Sequence, residues 1–145
     1  MYFGIHVHTA GATWFDAVAK ILDRSVRASL AEIQLSEVDG LYIGFSASSR
    51  LSQGLRKVKK KIRRDYTSKV LTGGVRYYKC VVEFDAEVSD AELVAAADTE
   101  ASLFSFVQRI VLDCLPMALR GFEDSDLAVV QSAVSEARLP HESRW

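Results

Sequence analysis

The densest chemistry in this 145-residue chain is basic: Arg56, Lys57, Lys59, Lys60, Lys61, Arg63 and Arg64 place seven cations within nine residues. Such a run could neutralise phosphates, with the steep salt dependence that counterion release brings. Only Tyr66 lies beside it for base stacking, whereas single-strand binders usually offer several aromatics. His6 and His8 would share one side of a strand and could hold a metal. Metal sites need three or four ligands, however, and His141 is remote in sequence. A nucleophilic cysteine needs exposure, a lowered pKa and a histidine base. Cys80 falls among Tyr78, Val82 and Phe84, and Cys114 near Ile110 and Val111, so both read as buried, reduced thiols. Glu83 and Asp85 share a strand side, as paired carboxylates would, but no histidine, serine nucleophile or glycine-rich phosphate loop accompanies them. No P-loop, dinucleotide fingerprint, zincin helix or nucleophile elbow occurs, and Gly73-Gly74 precedes a strand rather than a helix. These residues give catalysis no positive support; we expect no enzyme, metal or cofactor.

Charge points to binding instead. The net charge is only -1, which argues against a surface built wholly for nucleic acid. That near-neutrality is a cancellation. Between Arg50 and Lys79 only Asp65 is acidic, whereas from Cys80 onward acids far outnumber Arg109, Arg120, Arg138 and Arg144. The protein should carry an electric dipole or pair its basic and acidic parts internally. The acidic half would also repel nucleic acid at longer range, so the basic stretch reads as a solvated or partner-facing element ahead of a phosphate site. Hydrophobic residues at 49% and charged residues at 26% fit a globular chain, and this length suits one domain burying about 70% of its unfolded surface. MYFGIHVHTAG lacks the features of a signal peptide, and no apolar run approaches about 18 residues. A cytoplasmic protein that spans no membrane is the expectation.

The elements that must position these residues follow from periodicity. Tyr2 to His8 alternates as a strand with Phe3, Ile5 and Val7 toward the core. Thr13 looks like a helix cap, and Trp14, Val18, Ile21, Leu22, Ser25 and Val26 continue at helical spacing to about Ala28. Leu30 to Val38 alternates weakly; with the turn chemistry of Asp39-Gly40 and the alternation Leu41, Ile43, Phe45 it predicts a hairpin. Leu51, Leu55, Val58, Ile62 and Tyr66 then recur at spacings of three and four, which predicts a helix with its cations around an apolar stripe. Val75 to Asp85 reads as a central strand, with Tyr77, Lys79, Val81, Glu83 and Asp85 on its outer side. Ser89-Asp90-Ala91-Glu92 is a capping box, and Asp98 to Glu100 bends or restarts the helix. Leu103 to Leu115 should be the main core helix, ending near Pro116 and Gly121. A last helix from Asp124 or Ser125 turns Leu127, Val130, Val134 and Ala137 inward, and Pro140 closes it. The sum is a single α+β domain over residues 1–140 with a tail at 141–145. We expect a two-layer sandwich: a mostly antiparallel sheet of about four strands with helices on one face. His6, Tyr42, Tyr77 and Lys79 would occupy the open face, a composition suited to an interface.

This succession resembles the small immunity proteins of bacterial polymorphic toxin systems, including those of contact-dependent inhibition. The likeness rests on LYIGF after Asp39-Gly40, the lysine-rich stretch, VRYYKCVVEFD, the capped SDAEL and the long helix ending LDCLPMALRG. It implies a cytoplasmic, non-enzymatic protein that binds a cognate toxin domain and occludes its active site. The family supplies no catalytic residues to carry over. The surfaces available for such a partner are Tyr42, Tyr77, Lys79, Glu83 and Asp85 on the sheet and Arg56, Lys59, Lys60 and Arg63 on the basic stretch. Immunity proteins against cationic nucleases are often markedly acidic, and this chain departs from that pattern, so either its acidic half meets a basic toxin or its basic stretch covers an acidic one. A nucleic-acid-binding module using Arg56 to Arg64 is the alternative.

Overall fold

Alternation along Tyr2–Val7 buries Phe3 and Ile5 and leaves Tyr2 and His6 exposed, which makes this segment strand β1. The computed structural model describes residues 2–7, 13–35, 38–48, 58–65 and 79–140. Helix α1 (Thr13–Leu30) buries Phe15, Val18, Ala19, Leu22, Val26 and Leu30. Its inward aromatic is therefore Phe15, and Trp14, placed on the stripe by the sequence reading, is 56% exposed. The two sit about 100° apart on the helix, and only Phe15 is in phase with Leu22 and Val26.

The expected hairpin is not formed. Leu30 is the last residue of α1, residues 31–32 turn and residues 33–35 are irregular. Asp39 and Gly40 lie inside strand β2 (Val38–Ser48), where the pairing register shifts between Val38 and Gly40. Leu30 follows Val26 by four residues, so burial on the helix stripe overrides its weak strand pattern. Because a helix joins β1 to β2, the two run parallel, as a crossover connection requires.

The described part of the basic stretch is a strand, not the expected helix. Residues 51–57, including Arg56, lie outside the described residues, but Val58–Asp65 forms β3, antiparallel to β4 (Lys79–Ser89). Spacings of four are even as well as helical, so Val58 and Ile62 share a strand side equally well. In register, Lys59 stands opposite Asp85, Lys61 opposite Glu83 and Asp65 opposite Lys79. Opposite charges across strands favour this pairing, whereas an isolated helix would hold like charges four residues apart. The sheet order is β1-β2-β4-β3, with β4 central as its apolar face predicted. β1–β2 and β2–β4 are parallel and only β3–β4 is antiparallel, so the sheet is mixed rather than mostly antiparallel.

The helices cover one face. Helix α2 (Asp90–Ala96) follows β4 directly, with Ser89 at the N-cap position but making no side-chain cap bond. Helix α3 (Glu100–Ala118) restarts at Thr99, whose side-chain oxygen accepts from the Ser102 amide at 3.0 Å. Leu103, Val107, Ile110, Val111, Cys114 and Leu115 are all fully buried. α3 has the length and apolarity of a membrane span, yet half of it is buried inside the fold. Gly121, with φ of 91°, follows the end of α3, in the conformation that glycine takes without a Cβ clash. Helix α4 (Asp124–Glu136) packs chiefly on α1 and α3 through Val130 and Val134. Gln108 of α3 fastens its end by donating to the Val134 carbonyl at 2.7 Å and the Ala137 carbonyl at 3.1 Å. Against this layer the sheet presents Phe3, Ile5, Leu41, Ile43, Phe45, Val82, Phe84, Ala86 and Val88. Phe15 meets Phe45 edge to face at 6.0 Å. α+β architecture with about four strands and helices on one sheet face is thus what the chain adopts.

Candidate functional site

Among the described residues no element covers the other face of the sheet, and its residues fall into stripes set by the strands. Strands β1 and β2 bring Tyr2, His6 and Tyr42, with Gly4, Gly40 and Gly44 between them. Strand β4 brings Val81, Glu83, Asp85 and Glu87, in register with Gly40, Tyr42, Gly44 and Ser46. Strand β3 places Lys59, Lys61 and Arg63 opposite Asp85, Glu83 and Val81. Residues that alternate along four separate segments therefore meet on one surface: aromatic, then acidic, then basic.

The aromatic stripe owes its shape to glycine. A Cβ on Gly4 would stand 2.8 Å from Tyr42 Cδ1 and 3.2 Å from Cε1, and one on Gly40 would stand 3.3 Å from Cε2. The Tyr42 ring therefore lies low across bare backbone of both strands. His6 stacks beside it, with ring centroids 6.4 Å apart and planes inclined by 23°. Tyr2, 64% exposed, extends the same face.

Side chains clamp the β1 border of the sheet and tie β3 to the helical side. At β1, the Ile5 amide donates to Asp23 Oδ2 at 3.1 Å, and Arg27 Nε donates to the Phe3 carbonyl at 3.2 Å. Asp23 Oδ1 and Arg27 form an ion pair at 2.8 Å, one turn apart on α1. Two side chains thus occupy the backbone groups that an added strand would use. At β3, Lys60 turns to the helical side. Its ammonium donates to the Arg120 carbonyl at 2.8 Å and lies 5.5 Å from the Phe122 ring centroid. Burial, and secondarily the Arg120 charge, lower its pKa below the usual lysine value.

Of the residues assigned to partner binding from sequence, Tyr42, Glu83 and Asp85 come together on the open face. In the backbone register Lys59 stands opposite Asp85 and Arg63 opposite Val81, and Lys79 stands at the start of β4 opposite Asp65. Lys60 is not part of the face; alternation sends it to the core side as an internal tie. Tyr77, Arg56 and His8 lie outside the described residues. Lys61 and Glu87, which were not assigned, belong to the surface; the matched alternation of Lys59-Lys61-Arg63 and Glu83-Asp85-Glu87 was the available signal. Gly4 and Gly40 were missed as well, although both alternate in phase with Tyr42.

For chemistry, the described residues contain no group of three or more histidines, cysteines and acids that could hold a metal. Cys80 and Cys114 are buried free thiols. Two grooves on the helical side, one between α1 and α4 and one between α2 and α3, are lined mainly by small residues, and neither brings in a histidine or cysteine. Comparison with protein families, curated proteins and solved structures finds no match to this chain.

Proposed function

We propose that this chain is a binding protein that uses its open sheet face to capture and neutralise a toxin domain, with no chemistry of its own. The carrying observation is the face itself: a stacked Tyr42–His6 pair beside Glu83 and Asp85, on a sheet backed by a packed helical layer. Aromatics on a rigid support provide contact area at low entropic cost, and an acidic stripe steers a basic partner and fixes its orientation. Docking such a surface over a toxin's substrate groove would suffice for protection, with the complex residing in the cytoplasm. The resemblance to immunity proteins supplies the toxin as partner. One of its elements, the lysine-rich stretch, is a strand here and lends a surface rather than a helix.

Binding of single-stranded nucleic acid is the second reading, favoured by Tyr2, Tyr42 and the cations of β3 on one face. Glu83, Asp85 and Glu87 run between those aromatics and those cations, so a phosphate backbone would cross three carboxylates to engage both.

Co-expression with the toxic C-terminal domain of a secreted protein encoded immediately upstream tests the reading. Growth should be restored, and a one-to-one complex should elute from a sizing column. Continued killing together with no complex would sink the proposal. A chain that instead retains single-stranded DNA, with affinity collapsing as salt rises, would establish the second reading.

A further inference from the structure

We propose that the Asp23–Arg27 pair is a clamp that keeps β1 from pairing with β1 of a second copy of this chain, and that opening it yields a two-fold dimer with one continuous sheet. The Phe3 carbonyl and the Ile5 amide point away from β2 and meet α1. By alternation, the Phe3 amide, the Ile5 carbonyl and both backbone groups of Val7 belong to the same edge. In a parallel pair, a residue donates to the carbonyl before its opposite number and accepts from the amide after it. Arg27 Nε donates to the Phe3 carbonyl at 3.2 Å and Asp23 Oδ2 accepts from the Ile5 amide at 3.1 Å. The ion pair at 2.8 Å ties that donor to that acceptor. Two side chains of α1 thus stand in for one residue of a strand opposite Gly4.

The two end strands of the sheet are guarded differently. β3, VKKKIRRD, carries five cations in eight residues, and like charges discourage pairing with its own copy. β1, YFGIHV, contains no lysine, arginine, acid or proline, so its own sequence does nothing to repel a copy. The clamp does that instead. β1 is also self-complementary. An antiparallel two-fold centred on Ile5 sets Ile5 against Ile5 and Phe3 against Val7 of the second copy, each exchanging its amide and its carbonyl. That register pairs apolar side chains on the core side and sets His6 against Gly4 on the open side. Asp23 is only 7% exposed and is carried by a packed helix, so a second copy gains the Ile5 amide only when Asp23 gives it up.

The test is light scattering on full-length wild type, Asp23→Ala/Arg27→Ala and Arg27→Ala over a wide range of protein concentration. The double variant loses one acid and one base, so its net charge stays at -1. Wild type should hold the monomer mass of 16.1 kDa. The double variant should double its mass as concentration rises. Arg27→Ala keeps the Ile5 bond to Asp23 and should dimerise only at higher concentration. Exchange of the Ile5 amide, fast in the dilute double variant, should slow as the dimer forms. Cys80 and Cys114 are buried, so a nitroxide can be placed on Tyr2→Cys alone. Carried by one copy of the double variant, it should broaden the His6 and Val7 amides of an isotope-labelled second copy more than Phe3. Dimerisation of wild type through the same edge, a folded double variant that stays monomeric, or broadening on β3, as head-to-tail pairing would give, would overturn the clamp's role. The Arg27 side chain is 59% exposed, so Arg27→Ala supplies a folded readout should the double variant not fold, and its staying monomeric at every concentration would then overturn the proposal.

Discussion

At the scale of single residues, two glycines and one lysine decide more than their types suggest. Alanine at Gly4 would gain strand propensity and relieve chain entropy, but its Cβ would meet the Tyr42 ring at 2.8 Å. The ring must lift. We expect Gly4→Ala to alter stability by less than about 1 kcal/mol, since the two effects oppose. Contacts between the Tyr42 and His6 rings should disappear from the NOE spectrum. An unchanged set of ring contacts would show that the glycines do not seat the tyrosine. Lys60 tests a different contact. Lys60→Met removes its hydrogen bond to the Arg120 carbonyl, and a loss of about 1 kcal/mol should follow. The pH dependence has a definite sign. The folded-state pKa lies below the unfolded value of 10.5, so between the two the unfolded chain binds more protons. Denaturation profiles should therefore show wild type gaining relative to Lys60→Met as pH rises through the alkaline range toward 10.5. The opposite trend would mean that the ammonium is favoured, not penalised, where it sits.

Elements show which sequence patterns are self-sufficient. β1, α1, β4, α3 and α4 were legible because each carries an unbroken apolar period of two or of three to four, and burial follows that period directly. β3 was not. Its apolar residues are only Val58 and Ile62, four apart, and that interval satisfies both periods; what decides is the acidic alternation of β4, a property of another segment. The expected hairpin failed for a related reason: Asp39-Gly40 has the chemistry of a turn, but Leu30 before it belongs to the α1 stripe, so no first strand exists to turn from. Charge swapping examines the β3 assignment. Lys61→Glu alone should destabilise by about 0.5 kcal/mol, and adding Glu83→Lys should restore most of the loss. Independent effects of the two changes would contradict the register. Asp23 and Arg27 stand four apart on α1, but their backbone targets in β1 are a tertiary fact. Asp23→Ala would orphan the Ile5 amide and strip Arg27 of its partner, costing about 2–3 kcal/mol, with faster hydrogen exchange at Ile5 as the local signature. Slow exchange at Ile5 in that variant would show that the clamp does not seal the edge.

For the whole molecule, one-sidedness is the organising property. The described helices lie on one side of the sheet, α4 packing on α1 and α3, and the near-neutral net charge conceals a surface in which acids and bases occupy adjacent strands. Part of the cancellation inferred from sequence is realised as a register between β3 and β4, where residues 58–65 of the basic stretch form a strand rather than a helix. That Glu83 and Asp85 share one side of their strand was legible in their alternation, and Tyr42 joins them in register. The stripe order was not, because it depends on β4 inserting between β2 and β3, which no segment encodes by itself. The central claim is that this open face, not the helical layer, holds the toxin. Isothermal titration of the toxin domain against wild type, Asp85→Lys on the sheet and Glu136→Lys on α4 tests it most directly, since both residues are exposed and both changes reverse one charge. The account predicts affinity lost at least about tenfold for Asp85→Lys and unchanged for Glu136→Lys; retained binding by Asp85→Lys with loss in Glu136→Lys would contradict it.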